Sequence, residues 1–548
     1  MGTSDFDKGW SALRGGDSAA ARRLFEDAVA EAGSGAALEG LAAALYFERE
    51  YSTSADLYER AFTAYREESN TMAAGRAART AAWINGGILG DWAVQNGWWA
   101  RARTVLEAAG EDTPEHGWVL ILKAYVEPDA HTRENLLRDA IAVARRFGES
   151  DMEFEALAYL GCMYVMIDRA EEGLAFVDEA LAAACASEVT DLSILDSIFC
   201  GLFWACELVN DVPRAEQWMR AAGDLIARRN VVAAFCRAHY GGILTAAGRW
   251  DEAETELMVA AEHFDSGIST RRAVVMIRLA DLRVRQGRLE EAALLLEGLD
   301  HHPDAVRTLA ALHFERGQTA LAADLLERAT EGPDEEVPTV GESTMIAPLL
   351  GLLVDVYIED GRVDEAQRTA ERLERLARQR GPYLRAAAAL ARGRAHLAGG
   401  TGDERAYLHD AIEGFAQAQL PMELARARLE MARALAERSP AVAVAEAKAA
   451  LADFERLEAA RYADAAGALL RSLGAPVRTG PKGMGALTKR EAEVLQLIGA
   501  GLSNPEIGDR LFITRKTVEH HVGNVLSKLG LRNRAEAAAY VAREKTRP

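Results

Sequence analysis

The chain has 548 residues, of which 49% are hydrophobic and 27% charged, enough for several separately folded parts. The start, MGTSDFDKGW, lacks the basic and apolar stretches of a secretory signal, and no apolar run reaches the roughly 18 residues of a membrane span, so a cytoplasmic protein without membrane contact is expected. The net charge of −21 would exclude a nucleic-acid binder if it were evenly spread, but residues 478–548 hold 13 Lys and Arg against 7 Asp and Glu, a net of +6, which leaves −27 for the rest.

From the start to about residue 473 nearly every segment reads as amphipathic helix rich in Ala, Leu, Glu and Arg, with no strand alternation, and the fold class is all-α. Five segments share a turn glycine followed five residues later by alanine: Gly16 with Ala21, Gly248 with Ala253, Gly287 with Ala292, Gly317 with Ala322 and Gly361 with Ala366. Gly97 with Ala102 fits the same rule, and Asn210 with Ala215 and Glu50 with Ala55 keep the alanine alone. Glycine ends the first helix of a pair in a left-handed conformation, and alanine lets the second helix pack closely on the first. Leu24, Phe25 and Ala28 recur 33 residues later as Leu57, Tyr58 and Ala61. This pattern resembles a tetratricopeptide array, an α-solenoid of stacked helix pairs; at about 34 residues per repeat, roughly a dozen pairs fit. Such arrays bind peptides, proteins or small ligands along an extended face.

All nine tryptophans lie between Trp10 and Trp250, which leaves room for a ligand pocket in the first half, although core packing is the more frequent role of a tryptophan in a first helix or just after the turn glycine, as at Trp250. The five cysteines are scattered without a CxxC pair and read as small apolar residues, neither a disulfide framework nor a zinc site. The acidic, Pro- and Gly-containing stretch 331–344 reads as an exposed loop, a place where the array divides into two blocks. The stretch 474–486, with four glycines and two prolines, reads as a flexible linker, so the expected organisation is a repeat region over 1–473, the linker, and a terminal domain over 487–548.

In the terminal domain, Thr488 with Glu491 forms a capping box before a helix whose buried stripe is Val494, Leu495, Leu497 and Ile498. A short second helix follows, started either by a Ser503–Glu506 box or by Asn504 capping ahead of Pro505, and ends near Leu511. Thr514 caps a longer third helix, with Ile513 stapling onto Val518. There Val518, Val522, Val525 and Leu529 face inward, so Lys516, Glu519, His520, Gly523, Asn524 and Ser527 face outward together. Two helices joined by a short connection, the second opening on Arg515 and Lys516, make the geometry that enters a major groove. A fourth helix runs from about Arg534 to Glu544.

The run LTKREAEVLQLIGAGLSNPEIGDRLFITRKTVEHHVGNVLSKLGLRNRAEAAAYV closely resembles the LuxR-type helix-turn-helix domain of bacterial regulators. The resemblance implies that the helix from Arg515 to Leu529 is the recognition helix. It places Glu519, His520 and Gly523 at base-facing slots, and Lys489, Arg490, Asn504, Arg515, Lys516, Thr517, His521, Asn524 and Lys528 at the remaining DNA-facing positions. Ala535, Ala538, Ala539 and Val541 on the fourth helix are implied as the dimer contact. Glu519 stands where lysine is common, either accepting from cytosine N4 or orienting Lys516 or Arg515. Gly523 has no side chain to read with.

Double-stranded DNA, a second copy of the chain and RNA polymerase are the partners the resemblance implies. Large LuxR-type proteins often carry an ATPase module, but no GxxxxGK[ST] run exists here; NGGILGDW and GPKGMG lack the required Lys-Ser or Lys-Thr. A receiver domain, a GxSxG or HExxH motif and a metal-spaced cluster are equally missing, and His301–His302 is an isolated pair, so no cofactor, no metal and no catalysis are expected. The expected function is sequence-specific DNA-binding transcription regulation with an arm that senses a ligand or protein. The alternative is a tetratricopeptide adaptor that recruits a protein partner to DNA.

Overall fold

The computed structural model describes residues 5–108, 110, 112–223, 225, 234–263, 269–331, 342–378, 381–400, 402, 404–476, 487, 489–511, 513 and 515–544. Most of the loop 331–344 and of the linker 474–486, together with the caps Thr488 and Thr514, lies outside them. Helices account for all the regular structure among the described residues, so the all-α class holds. Successive helices fold back on one another, as Asp5–Arg14 on Ser18–Ala32, Gly35–Phe47 on Tyr51–Glu67, and Ser150–Met166 on Ala170–Cys185.

The glycine and alanine roles follow the pattern. Gly16, Gly248, Gly287, Gly317 and Gly361 all have φ between 72 and 86°. At each, the next residue's amide donates to a carbonyl in the last turn of the first helix, as Arg249 N to Leu244 O at 2.9 Å and Arg362 N to Tyr357 O at 2.8 Å. The paired alanines are fully buried in the opposing helix. Asn210 takes the same left-handed position at φ 53° ahead of buried Ala215.

Two matches have a different basis. Gly97 lies inside the helix Trp92–Glu107 and ends nothing; Ala102 is buried all the same. Beside Glu50 it is Arg49 that turns left-handed, at φ 68°. One helix pair escaped the alanine rule because glycine replaces it: Gly173 follows left-handed Asp168, and a Cβ there would stand 2.4 Å from the carbonyl oxygen of Gly161 on the facing helix.

The chain divides into two compact units, one made of residues 1–278 and 323–427, the other of 279–322 and 428–548. The first holds the helix pairs of the N-terminal half, all nine tryptophans and the fully buried Phe25, Phe62, Phe199 and Phe415. Within it Cys200 and Cys236, on helices Leu192–Val209 and Ala234–Ala246, are joined in a disulfide with Cα atoms 4.9 Å apart. This corrects the reading of five independent cysteines: a separation of 36 residues, about one repeat, brings equivalent faces of neighbouring first helices together. Cys206 alone is a buried free thiol; Cys162 is half-buried and Cys185 exposed.

The second unit contains the helices Leu289–Leu295 and Val306–Glu315, the helices Pro440–Arg456 and Ala460–Ser472, and the four terminal helices Lys489–Gly499, Asn504–Leu511, Arg515–Leu529 and Arg534–Glu544. The terminal helices have their own core of Val494, Leu495, Ile498, Ile507, Val518, Val525 and Val541. Leu497, Val522 and Leu529 close it from the sides, so the stripes read from the sequence are the buried ones.

Candidate nucleic-acid interface

The reading surface is set by how the second and third terminal helices meet. The second helix starts on the reciprocal Ser503–Glu506 box: Ser503 N and Oγ each donate to the Glu506 carboxylate at 2.6 Å, and the Ser503 hydroxyl holds that carboxyl below its usual range. The two ways of starting this helix are thereby resolved, because Asn504 Oδ1 instead accepts from Arg534 Nη1 at 2.7 Å and fixes the fourth helix to the second. Between the second and third helices, Ile513 N donates to Gly508 O at 2.9 Å, and a Cβ on Gly508 would lie 2.7 Å from Ile513 O. Only glycine permits so close a turn. Gly508 is a structural determinant that periodicity passed over; its place inside a helix, facing the following connection, was the available signal. Ile513 and Val518 are both buried in the common core, which agrees with the staple.

On the third helix Arg515, Lys516, Glu519, His520 and Gly523 are exposed, and Asn524, Thr517 and His521 are half-buried. Arg515 Nε donates to Glu519 Oε1 at 2.8 Å across one turn, so of the two roles open to Glu519 the structure displays the orienting one. A Cβ on Gly523 would meet nothing within 4 Å, leaving an open gap in the middle of the polar face.

Several expected DNA-facing groups are otherwise engaged. Lys528 Nζ lies 2.6 Å from the buried carboxylate of Glu491. Arg490, expected to face DNA, is buried: its guanidinium donates to Leu511 O at 2.7 Å and Glu493 at 2.7 Å, and Nη2 reaches Glu291 Oε2 at 3.1 Å. Glu291 belongs to the repeat helix Leu289–Leu295 of the same unit and is also paired with Arg288 and Arg283. Both side chains of the Arg490–Glu291 pair are 8% exposed. His521, on the recognition helix, is in electrostatic reach of Glu291, Arg288 and Arg490, and its burial lowers its pKa. The side chain of Lys489 lies outside the described residues.

On the fourth helix Ala535 and Ala539 are exposed, whereas Ala538 is half-buried against the core and Val541 is 3% exposed within it. Val541 packs where a Cβ on Gly499 would stand 2.5 Å away, so it supports its own domain instead of presenting a surface to a second copy. As to metals, Asp196, Cys200 and Cys236 offer three ligand atoms within 4.8 Å of one another, the only such group among the described residues, but the two sulfurs are joined to each other and are not thiolates.

Residues 485–541 match the family described as bacterial regulatory proteins, luxR family. The C-terminal domain is a luxR-family helix-turn-helix. It is 55% identical over 58 residues to the transcriptional regulatory protein LiaR of Bacillus subtilis (strain 168), covering 11% of this chain and 28% of that protein. It is 53% identical over 57 residues to LnrK of the same organism, covering 10% and 26%. Against the oxygen regulatory protein NreC of Staphylococcus aureus (strain JH9) it is 44% identical over 59 residues, covering 11% and 27%. The chain thus spans little more than a quarter of the length of these relatives.

Among solved structures, the chain is similar to the APC/C hetero-tetramer Cut9-Hcn1, with a TM-score of 0.38 and 15% identity over 84% of this chain and 89% of that one. It is similar to yeast Tom70 with a TM-score of 0.25 and 10% identity over 87% and 96%. No helix among the described residues is long and apolar enough to cross a membrane.

Proposed function

We propose that the chain is a transcriptional regulator whose luxR-family head binds double-stranded DNA as a dimer and whose helical-repeat arm controls when the head is free to do so. The exposed Arg515, Lys516, His520 and Gly523 on one face of a luxR-family recognition helix are the observation that carries the DNA-binding part. Arg515 and Lys516 approach phosphates, and His520 with the Arg515-held Glu519 meets base edges. Ala535 and Ala539 form the centre of the dimer contact. A cytoplasmic location follows from that activity.

The control is an ion pair. Arg490 and Glu291 hold the head on the helix Leu289–Leu295 with His521 within electrostatic reach of the same charges. A guanidinium so held is unavailable to phosphate, and the recognition helix loses part of its approach. A ligand or protein that binds the arm more tightly when the head is released shifts the chain toward the DNA-binding state by that difference in affinity.

The test is selection of genomic fragments by the full chain and by residues 478–548 alone, titrated over salt. A preferred site with a steep salt slope for the head, bound less tightly by the full chain, is expected. A head that binds all DNA alike overturns the operator-reading assignment.

A further inference from the structure

The first unit holds a polar cavity that no part of the head needs. Its inner chamber, about 60 Å³, is lined from the helices Thr71–Ala82, Trp92–Glu107, Pro114–Val126, Ser150–Met166 and Leu192–Val209 and is walled by Trp83, Trp99, Tyr125 and Tyr159. Three of these rings form one cluster, Trp99 tilted by 43° to Tyr125 at 4.8 Å and Tyr125 edge-on to Tyr159 at 4.4 Å. All four are half-buried, with one side left to the cavity. Trp83 is delivered by a π-helical turn, Trp83–Ile88, formed by the same NGGI residues that cannot cradle phosphate. Such a turn inside a helix often marks a functional site. Thr80 and Asp191 line both this chamber and a second one of about 270 Å³, so the two adjoin. Together they fall near the lower end of small-molecule sites, too small for a folded partner.

The polar groups differ between chambers. In the outer one Arg76 and Glu39 satisfy each other through two hydrogen bonds of 2.6 and 2.7 Å. In the inner one Arg79 stacks its guanidinium 3.5 Å over Trp118 and leaves a buried Nε without a hydrogen-bond partner. Glu155, 9% exposed, accepts from Ser197 on Oε1 and leaves Oε2 without one. Burial lowers Arg79 only to about 10, so it stays charged at neutral pH, and raises Glu155 to about 8, so its carboxyl keeps its proton there. The unmatched Arg79 Nε–H is a donor, and the unmatched Glu155 oxygen can donate while its carboxyl is neutral, both set among aromatic faces. An unmatched buried donor is costly, and a ligand acceptor removes the cost.

We propose that this cavity is a binding site for a small planar aromatic carboxylate, its ring packed against the Trp99–Tyr125–Tyr159 cluster and its carboxylate taken by Arg79 and Glu155. The site deepens the sensor reading by naming the ligand class, and it rests on that reading only for its regulatory use. On the alkaline side Glu155 ionises under the influence of Arg79, Ser197, Asp191 and Asp151, which turns a donor into a like charge beside the ligand.

The experiment is calorimetry of the full chain with indole-3-acetate and 4-methylbenzoate, with tryptamine as the cationic counterpart. We expect one-to-one binding of at least one carboxylate, tryptamine at least tenfold weaker than indole-3-acetate, and a loss of tenfold or more in Arg79→Met. We also expect affinity to fall as pH rises through about 8, a fall that Glu155→Gln abolishes. Trp99→Leu, on a half-exposed wall, keeps the test valid if Arg79→Met fails to fold, and is expected to weaken binding at least fivefold. Failure of both carboxylates to bind, equal binding of tryptamine, or unchanged affinity in Trp99→Leu overturns the site. No DNA is present, so these outcomes leave the Arg490–Glu291 mechanism to its own test.

Discussion

Replacing Glu291 by Gln tests the control mechanism directly. Glu291 is ringed by Arg283 and Arg288 from its own part of the repeat and by Arg490 from the head. The first two pairs lie within the repeat, so the substitution acts on the docking equilibrium through Arg490 and, more weakly, through the electrostatic reach of Glu291 to His521. A charge-assisted hydrogen bond between groups this buried is worth about 1.5–3 kcal/mol, and rehydration of Arg490 on release offsets part of it. A net loss of about 1–2 kcal/mol raises the apparent DNA affinity of the full chain by about 5- to 30-fold, with the affinity of the free head as the ceiling. Fluorescence anisotropy on a selected fragment at fixed salt, for the wild-type chain, Glu291→Gln and residues 478–548, measures this. If the variant stays within twofold of wild type while the free head binds at least tenfold tighter, the hold lies elsewhere than in this pair. If all three bind alike, the head is not held at all.

Further outcomes follow from single side chains. Gly508→Val drives a branched side chain into Ile513 O and is expected to lower head stability by about 1–3 kcal/mol, read as a drop in its melting temperature; an unchanged midpoint would contradict the close turn. Lys516→Ala removes one exposed charge and should weaken binding to all DNA sequences alike while reducing the salt slope by about 0.9, measured by titration over salt. Ala253→Leu, at a fully buried pair interface beside Gly248, should destabilise the first unit by about 1–3 kcal/mol in denaturant unfolding, with tolerance counting against the repeat packing. His521 is depressed, first by burial and then by Arg490, Arg288 and His520, with Glu291 opposing. Its neutral ring therefore contributes stability that is fully present above the unfolded value of about 6.5 and lost as pH falls through the lower folded value. Denaturant unfolding of the full chain from about pH 7.5 down to 5 should show that loss, and His521→Gln should flatten it; parallel curves would remove His521 from the docking surface.

The sequence by itself determined what depends on neighbours along the chain. Gly248 and Gly361 end helices, Ala253 and Ala366 pack against the helix before, and Val494, Ile498, Val518 and Val525 face one core, because turn conformation and a 3.6-residue period are local properties. The luxR-family head was legible for the same reason: its caps, staple and inward stripe sit within 57 consecutive residues. Long-range pairing was not legible. Arg490 meets Glu291 across 199 residues, Cys200 meets Cys236 across one repeat, and Val541 turns to Gly499 where helix period alone allowed a partner surface. The cavity of Arg79 and Glu155 likewise exists only because successive helix pairs stack side by side. Which charge is buried, which alanine is exposed and which donor is left without a partner are settled by tertiary packing, since each depends on distances between segments that no local periodicity encodes.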